Sequence, residues 1–190
     1  MFKMLICVDL QNDFIDGVLG TPQARAIVPK VVEKLKNEDL KKTLVIFTKD
    51  THSSENYFDT LEGKMLPVPH CIENTPGWSI NKEISSIVDN TVSKLVCSTD
   101  KIIKSRIYKN TFGSDDLREL LLLHKDNIEE IEFCGLVTDC CVISNVLMAR
   151  QVLPNTRIIL DTSCCAGTTK EKHLAALEVM KSCQIEVINE

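Results

Sequence analysis

At 190 residues the chain can fill one good core and is short for two. It is 44% hydrophobic and 26% charged, an ordinary globular composition, and a net charge of −5 without a Lys/Arg cluster argues against a nucleic-acid partner. No apolar run approaches membrane-spanning length, and Asp9 and Asp13 come too early for a secretory signal, so a cytoplasmic protein without a membrane partner is expected.

The chain opens with a strand, Met4 to Leu10, which puts Asp9 near its carboxyl end. After a loop, Thr21 and Pro22 start a helix as cap and first residue. Ala24, Ile27, Val28, Val31, Val32 and Leu35 give that helix its apolar stripe. Thr43 to Thr48 is a second strand, followed by Lys49-Asp50-Thr51-His52. Ser53 to Gly77 has little periodicity and three prolines, so it reads as a loop or a chain of short turns, and such loops usually carry function. Ile80 to Val88 reads as a short helix and Lys101 to Tyr108 as the home of a third strand. Asp115 to His124 is a helix capped by Ser114, and Ile128 to Cys134 is a strand. Asp139 to Gln151 is a helix, and Arg157 to Leu160 is a strand ending at Asp161. Thr168 and Glu171 form a capping box for a helix reaching about Cys183, and Ile185 to Ile188 is the last strand. This alternation predicts one α/β domain, with a mainly parallel sheet covered on both faces. Ligands of such sheets bind beyond the carboxyl ends of the strands. Asp9, Asp50 with His52, and Cys141 all fall at such ends.

Nine cysteines, an odd count without CxxC spacing, suit neither a disulfide framework nor a zinc knuckle, so free thiols in a reducing compartment are expected. Cys7, Cys97, Cys134 and Cys183 lie in apolar or periodic segments and read as core residues. Cys141 differs. In IEFCGLVTDCCVISNVLMAR, Ile131 to Arg150, an apolar strand meets Gly135, two residues of helix-capping type, Thr138 and Asp139, and then an amphipathic helix. A cysteine in that helix's first turn faces free backbone N–H groups and the positive dipole end. Both favour a thiolate and can hold an oxyanion. The alternative is a buried thiol acting as a small apolar residue.

Other residues carry chemistry if they converge there. Asp9 is either a cap or a carboxylate able to take the thiol proton. A lysine, Lys109 or Lys104, would stabilise the thiolate; otherwise it is a solvated loop residue. Asp50, His52 and His70 form a candidate metal site with Glu62 as a further oxygen ligand; otherwise they are a capped strand end and unrelated loop histidines. Trp78 and Phe14 either wall a flat substrate or plug the core. His124 and His173 show no partner.

These residues resemble the isochorismatase-like cysteine hydrolases, and within them the nicotinamidase branch, over nearly the whole chain. VDLQNDF resembles the family's D-x-Q-x-D-F opening, which implies a catalytic role for Asp9. FTKDTH with the later PVPHC resembles the nicotinamidase metal motif. KNTFGS resembles the lysine motif, with Phe112 as its aromatic, which favours Lys109. GLVTDCCV resembles G-x-x-T-D-x-C-V, which places the nucleophile at Cys141 rather than Cys140. The resemblance further implies a six-stranded parallel sheet between helices and a cis Leu136–Val137 peptide. It also implies an oxyanion hole from the N–H groups of Val137 and Cys141. Two departures stand out: Phe112-Gly113 replaces the usual tyrosine-serine, and SSENYFDTLEG lacks a third metal-site histidine, with Glu62 available in its place. The implied function is a cysteine amidohydrolase that cleaves a small-molecule amide, nicotinamide first, through a thioester, with a divalent metal such as zinc. The rivals are a family member acting on an N-carbamoyl amide or isochorismate, and an inactive scaffold. Proteins of this fold often form homo-oligomers.

Overall fold

The computed structural model describes residues 1–89 and 106–190. Its strands are β1 (Phe2–Val8), β2 (Thr43–Asp50), β3 (Arg106–Lys109), β4 (Ile128–Leu136), β5 (Arg157–Ala166) and β6 (Glu186–Ile188). Its α-helices are α1 (Asn12–Ile15), α2 (Pro22–Asn37), α3 (Leu61–Met65), α4 (Lys82–Asp89), α5 (Asp115–His124), α6 (Ile143–Val152) and α7 (Lys170–Ser182). The sheet runs β3-β2-β1-β4-β5-β6, and every pairing is parallel. The expected six-stranded α/β architecture is therefore present, with helices on both sides. Among the described residues no helix is long and apolar enough to cross a membrane.

Central strands read as continuous apolar runs because both faces are covered. Met4 through Val8 of β1 are fully buried, and every residue of β2 is buried. The helix starts mostly follow their caps. Thr21 Oγ1 accepts from Ala24 N at 3.0 Å, and Ser114 Oγ accepts from Leu117 N at 3.1 Å. In α2 five of the six stripe residues are buried, and Val32 is half-buried against the same core. The long loop is a chain of short turns, including a 3₁₀ turn at Tyr57–Asp59 and α3.

Four expectations need correction. β5 continues past Asp161 to Ala166, because its polar residues find buried partners rather than water. Lys34 Nζ lies 2.8 Å from Asp161 Oδ2 and also pairs with Glu132, which Lys3 reaches too. Burial alone would raise the Asp161 pKa, but Lys34, Asn189 and Ser163 outweigh it and hold the carboxyl below its ordinary range. The capping box does not form: Thr169, not Thr168, caps α7, accepting from Lys172 N at 3.2 Å, and the residue three positions on is a lysine. Cys7 and Cys134 are core residues, with sulfurs 3.7 Å apart across β1 and β4, but Cys183 is only half-buried at the end of α7. The segment expected as helix from Asp139 opens as a π-type turn, Thr138–Val142, and is α-helical only from Ile143. Cys97, Lys104 and the start of the Lys101 to Tyr108 segment lie outside the described residues.

Candidate active site

Parallel pairing delivers the ends of β1, β2, β3 and β4 to one edge, and three distant side chains meet there. Lys109 Nζ, from the end of β3, lies 2.6 Å from Asp9 Oδ2 and 3.4 Å from Cys141 Sγ. It also donates to Thr111 O at 3.0 Å. Asp9 follows β1 at φ 46°, and its Oδ1 accepts from Thr48 Oγ1 at 2.6 Å. All three groups are buried. Burial raises the Asp9 carboxyl pKa, with Lys109 opposing, and so moves the group toward a proton-accepting range. Burial also pushes the Cys141 thiol up, Asp9 adds to the rise, and Lys109 counters it. Burial pulls the Lys109 ammonium down, but Asp9, Cys141 and Asp50 outweigh it and keep the group charged.

The turn that carries Cys141 is a π-type turn, Thr138–Val142, entered through a cis Leu136–Val137 peptide. Gly135 sits at φ 124° within β4, and a Cβ there would fall 2.1 Å from Val8 O, so only glycine allows this approach of β4 to β1. Thr138 and Asp139 do not cap a helix as expected. Thr138 Oγ1 pairs with His173 Nδ1 at 2.9 Å, which gives that histidine its partner. Asp139 accepts from Thr168 N at 2.7 Å and from Thr168 Oγ1 at 2.6 Å, which draws Thr168 away from capping α7. Fully buried Asn145 donates to Cys141 O at 2.7 Å and Phe112 O at 3.0 Å, so it joins the loop after Lys109 to the turn that carries Cys141.

Asp50, His52, Glu62 and His70 bring one ligand atom each to within 4.8 Å of one another. His52 Nε2 is 3.0 Å from Asp50 Oδ2, and His70 Nε2 is 3.4 Å from Asp50 Oδ2 and 3.5 Å from Glu62 Oε1. His70 Nδ1 lies 2.9 Å from the carbonyl of Val68, which can only accept, so Nδ1 carries the proton. Nε2 faces two carboxylates, so either a second proton or a metal cation is needed there to offset their charge. Burial lowers the His70 pKa, but Asp50 and Glu62 reverse this and lift it to about 10. Two imidazoles and two carboxylates with an oriented ring fit a divalent metal such as zinc. Tyr57, buried beneath, has its hydroxyl 3.1 Å from His70 Nδ1 and 2.8 Å from both Leu66 O and Val68 O.

A cavity of about 290 Å³ joins the two groups, lined by Phe14, Asp50, Glu62, His70, Val137 and Cys141 among others. Asp9 and Lys109 sit behind Cys141, outside its lining. Phe14 meets the His70 ring edge-on at 5.5 Å. Trp78 does not line this cavity. It stacks on Tyr108 at 5.7 Å, donates to Thr51 Oγ1 at 2.8 Å, and carries the Lys49 ammonium 3.0 Å above its ring. That is the loop-plugging alternative. Sequence reasoning missed Tyr57, Asn145 and the partners of Asp139. Asn145 left one trace, as a lone amide among the apolar positions of Val142 to Ala149.

Comparison with known proteins supports the family resemblance. The family model described as Isochorismatase domain matches residues 3–190. The nicotinamidase of Schizosaccharomyces pombe is 28% identical, over 98% of this chain and 92% of that protein. The nicotinamidase/pyrazinamidase of Mycobacterium tuberculosis is 26% identical, over 98% of each. Among solved structures, nicotinamidase/pyrazinamidase PncA from Bacillus subtilis superposes with a TM-score of 0.80 at 26% identity, each chain covered in full. The pyrazinamidase of Pyrococcus horikoshii in complex with zinc shares the fold with a TM-score of 0.73 at 24% identity, again with full coverage.

Proposed function

The chain belongs to the isochorismatase family, and from that premise we propose that it hydrolyses nicotinamide to nicotinate and ammonia through a thioester on Cys141. The observation that carries the reading is the Lys109 ammonium, 2.6 Å from the Asp9 carboxylate and 3.4 Å from the Cys141 sulfur. Asp9 accepts the thiol proton while Lys109 balances the charge on sulfur. The thiolate attacks the carboxamide carbon, forming a C–S bond. The oxyanion is received by the backbone N–H groups of Val137 and Cys141. Asp9 returns its proton to nitrogen, the C–N bond breaks, and ammonia leaves. Water, deprotonated by Asp9, then attacks the thioester; the C–S bond breaks, Asp9 returns the proton to the Cys141 sulfur, and the acid departs.

Asp50, His52, Glu62 and His70 would hold the metal, with zinc the best match to their donors. When bound, it would supply a Lewis-acid anchor for the ring nitrogen of the substrate. Phe14 offers an apolar wall for the ring. This anchor favours a nitrogen heterocycle over the vinyl ether of isochorismate. The eight cysteines among the described residues are all unpaired, which suits a reducing cytoplasm.

Ammonia release from nicotinamide and from benzamide, which lacks the ring nitrogen, tests the reading. Nicotinamide is expected to lead in kcat/KM by at least about a hundredfold, and a chelator should erase most of that lead. Equal rates for the two amides, or a lead that survives complete metal removal, would refute the anchoring role. An enzyme that prefers an N-carbamoyl compound would refute the substrate.

A further inference from the structure

Two residues of the VDLQNDF segment have no part in the chemistry above, yet both reach the candidate metal site. Gln11 is fully buried. Its amide grips the peptide groups of Asp50 on both sides: Oε1 accepts from Asp50 N at 2.7 Å, and Nε2 donates to Asp50 O at 2.8 Å. Nε2 also donates to Trp78 O at 3.0 Å. Asp13 Oδ2 accepts from Cys71 N at 2.7 Å, the peptide directly after His70. Cys71 holds φ at 46°, a left-handed conformation that a non-glycine residue rarely adopts without an outside hold. Its carbonyl in turn accepts from His52 N at 3.0 Å. One residue, Cys71, thus ties Asp13 to the segments carrying both histidines. The Asp13 carboxylate has no freedom to wander, because it packs against Gly77, where a Cβ would fall 2.2 Å from Oδ2.

We propose that Gln11 and Asp13 are positioning residues of the metal site: Gln11 sets the Asp50 backbone and Asp13 sets the His70–Cys71 turn, so that the donors of both segments meet at one point. The proposal rests on reading Asp50, His52, Glu62 and His70 as a metal site. It links that site to the catalytic edge through a single short turn, because Gln11 N also bonds Asp9 O at 2.8 Å. Residues that orient metal ligands typically cost ten- to a hundredfold in metal affinity when removed.

The test measures Zn²⁺ affinity of metal-stripped protein by competition with a chromogenic chelator, alongside the iodoacetamide reaction rate of Cys141. Asp13→Ala, which removes the acceptor, is expected to bind Zn²⁺ about 10- to 100-fold more weakly. Asp13→Asn keeps an acceptor oxygen and loses the charge, so it is expected to stay within about threefold of the native protein. Cys141 should react at the native rate in both. The proposal is overturned if Asp13→Ala binds Zn²⁺ as tightly as the native chain. It is equally overturned if Asp13→Asn loses as much as Asp13→Ala, since the effect would then be charge and not position. A fall in thiol reactivity that parallels the loss of Zn²⁺ would mean general loosening, and also overturns it. Should Asp13→Ala fail to fold by circular dichroism, Gln11→Met, which leaves every carboxylate in place, is judged by the same criteria. A native chain with no Zn²⁺ affinity would sink the metal reading itself, a different outcome from a native chain that binds and an alanine variant that binds equally well.

Discussion

Replacing Cys141 by alanine is expected to reduce amide turnover at least about ten-thousandfold, whereas Cys140→Ala should cost less than about tenfold. The two thiols are neighbours in sequence but not in environment. Cys141 Sγ is the one that contacts the Lys109 ammonium, at 3.4 Å. Cys140 is half-buried at the cavity wall. Burial and then Asp139 raise its thiol pKa, with Lys172 and Lys109 as lesser opposing charges. Its backbone still serves the turn, donating to Val137 O at 3.0 Å, and alanine keeps that bond. Steady-state ammonia release from variants of matched circular dichroism decides the matter. A dead Cys140→Ala beside an active Cys141→Ala would transfer the nucleophile to the other sulfur.

Asp9→Asn should lower turnover by about a hundred- to ten-thousandfold, the usual contribution of a positioned proton acceptor. Its effect on the thiol is expected to run the other way. The Asp9 carboxylate raises the Cys141 pKa, and the Lys109 ammonium lowers it. Removing the negative charge leaves the ammonium unopposed beside the sulfur, so the thiol pKa falls and the alkylation profile moves to lower pH. Iodoacetamide kinetics across pH, run with turnover assays, test both halves. Loss of alkylation together with turnover would mean that Asp9 is needed to ionise the thiol in the resting state. Unchanged turnover would remove Asp9 from the chemistry.

How far the sequence revealed this arrangement depends on the range of the interactions involved. Helices with local caps, at Thr21 and Ser114, were legible almost to the residue, since the capping bond spans three positions. The parallel sheet followed from alternation of elements. Strand order did not, because β1 joins β4 through residues more than a hundred positions apart. The end of β5 was misread because Asp161 looks like a strand stop until Lys34 is seen beside it. Thr168 looks like a helix cap until Asp139 takes its hydroxyl. In the site, Asp9, Lys109 and Cys141, and the candidate donors Asp50, His52, Glu62 and His70, are legible from type, spacing and family resemblance, and the structure brings each set together at two adjoining points. Trp78 is ambiguous from sequence, and its cation and aromatic partners, Lys49 and Tyr108, come from β2 and the edge strand β3 that pairs with it. Gln11 and Asp13 were visible in the motif, but nothing in the sequence says that they grip the peptides of Asp50 and Cys71.

The most direct test of the account is an acid quench during turnover of nicotinamide, followed by peptide mapping by mass spectrometry. The account predicts a nicotinoyl group on the peptide containing Cys140 and Cys141, lost in Cys141→Ala and retained in Cys140→Ala. An acyl group carried by any other residue, or one that persists in Cys141→Ala, would contradict it.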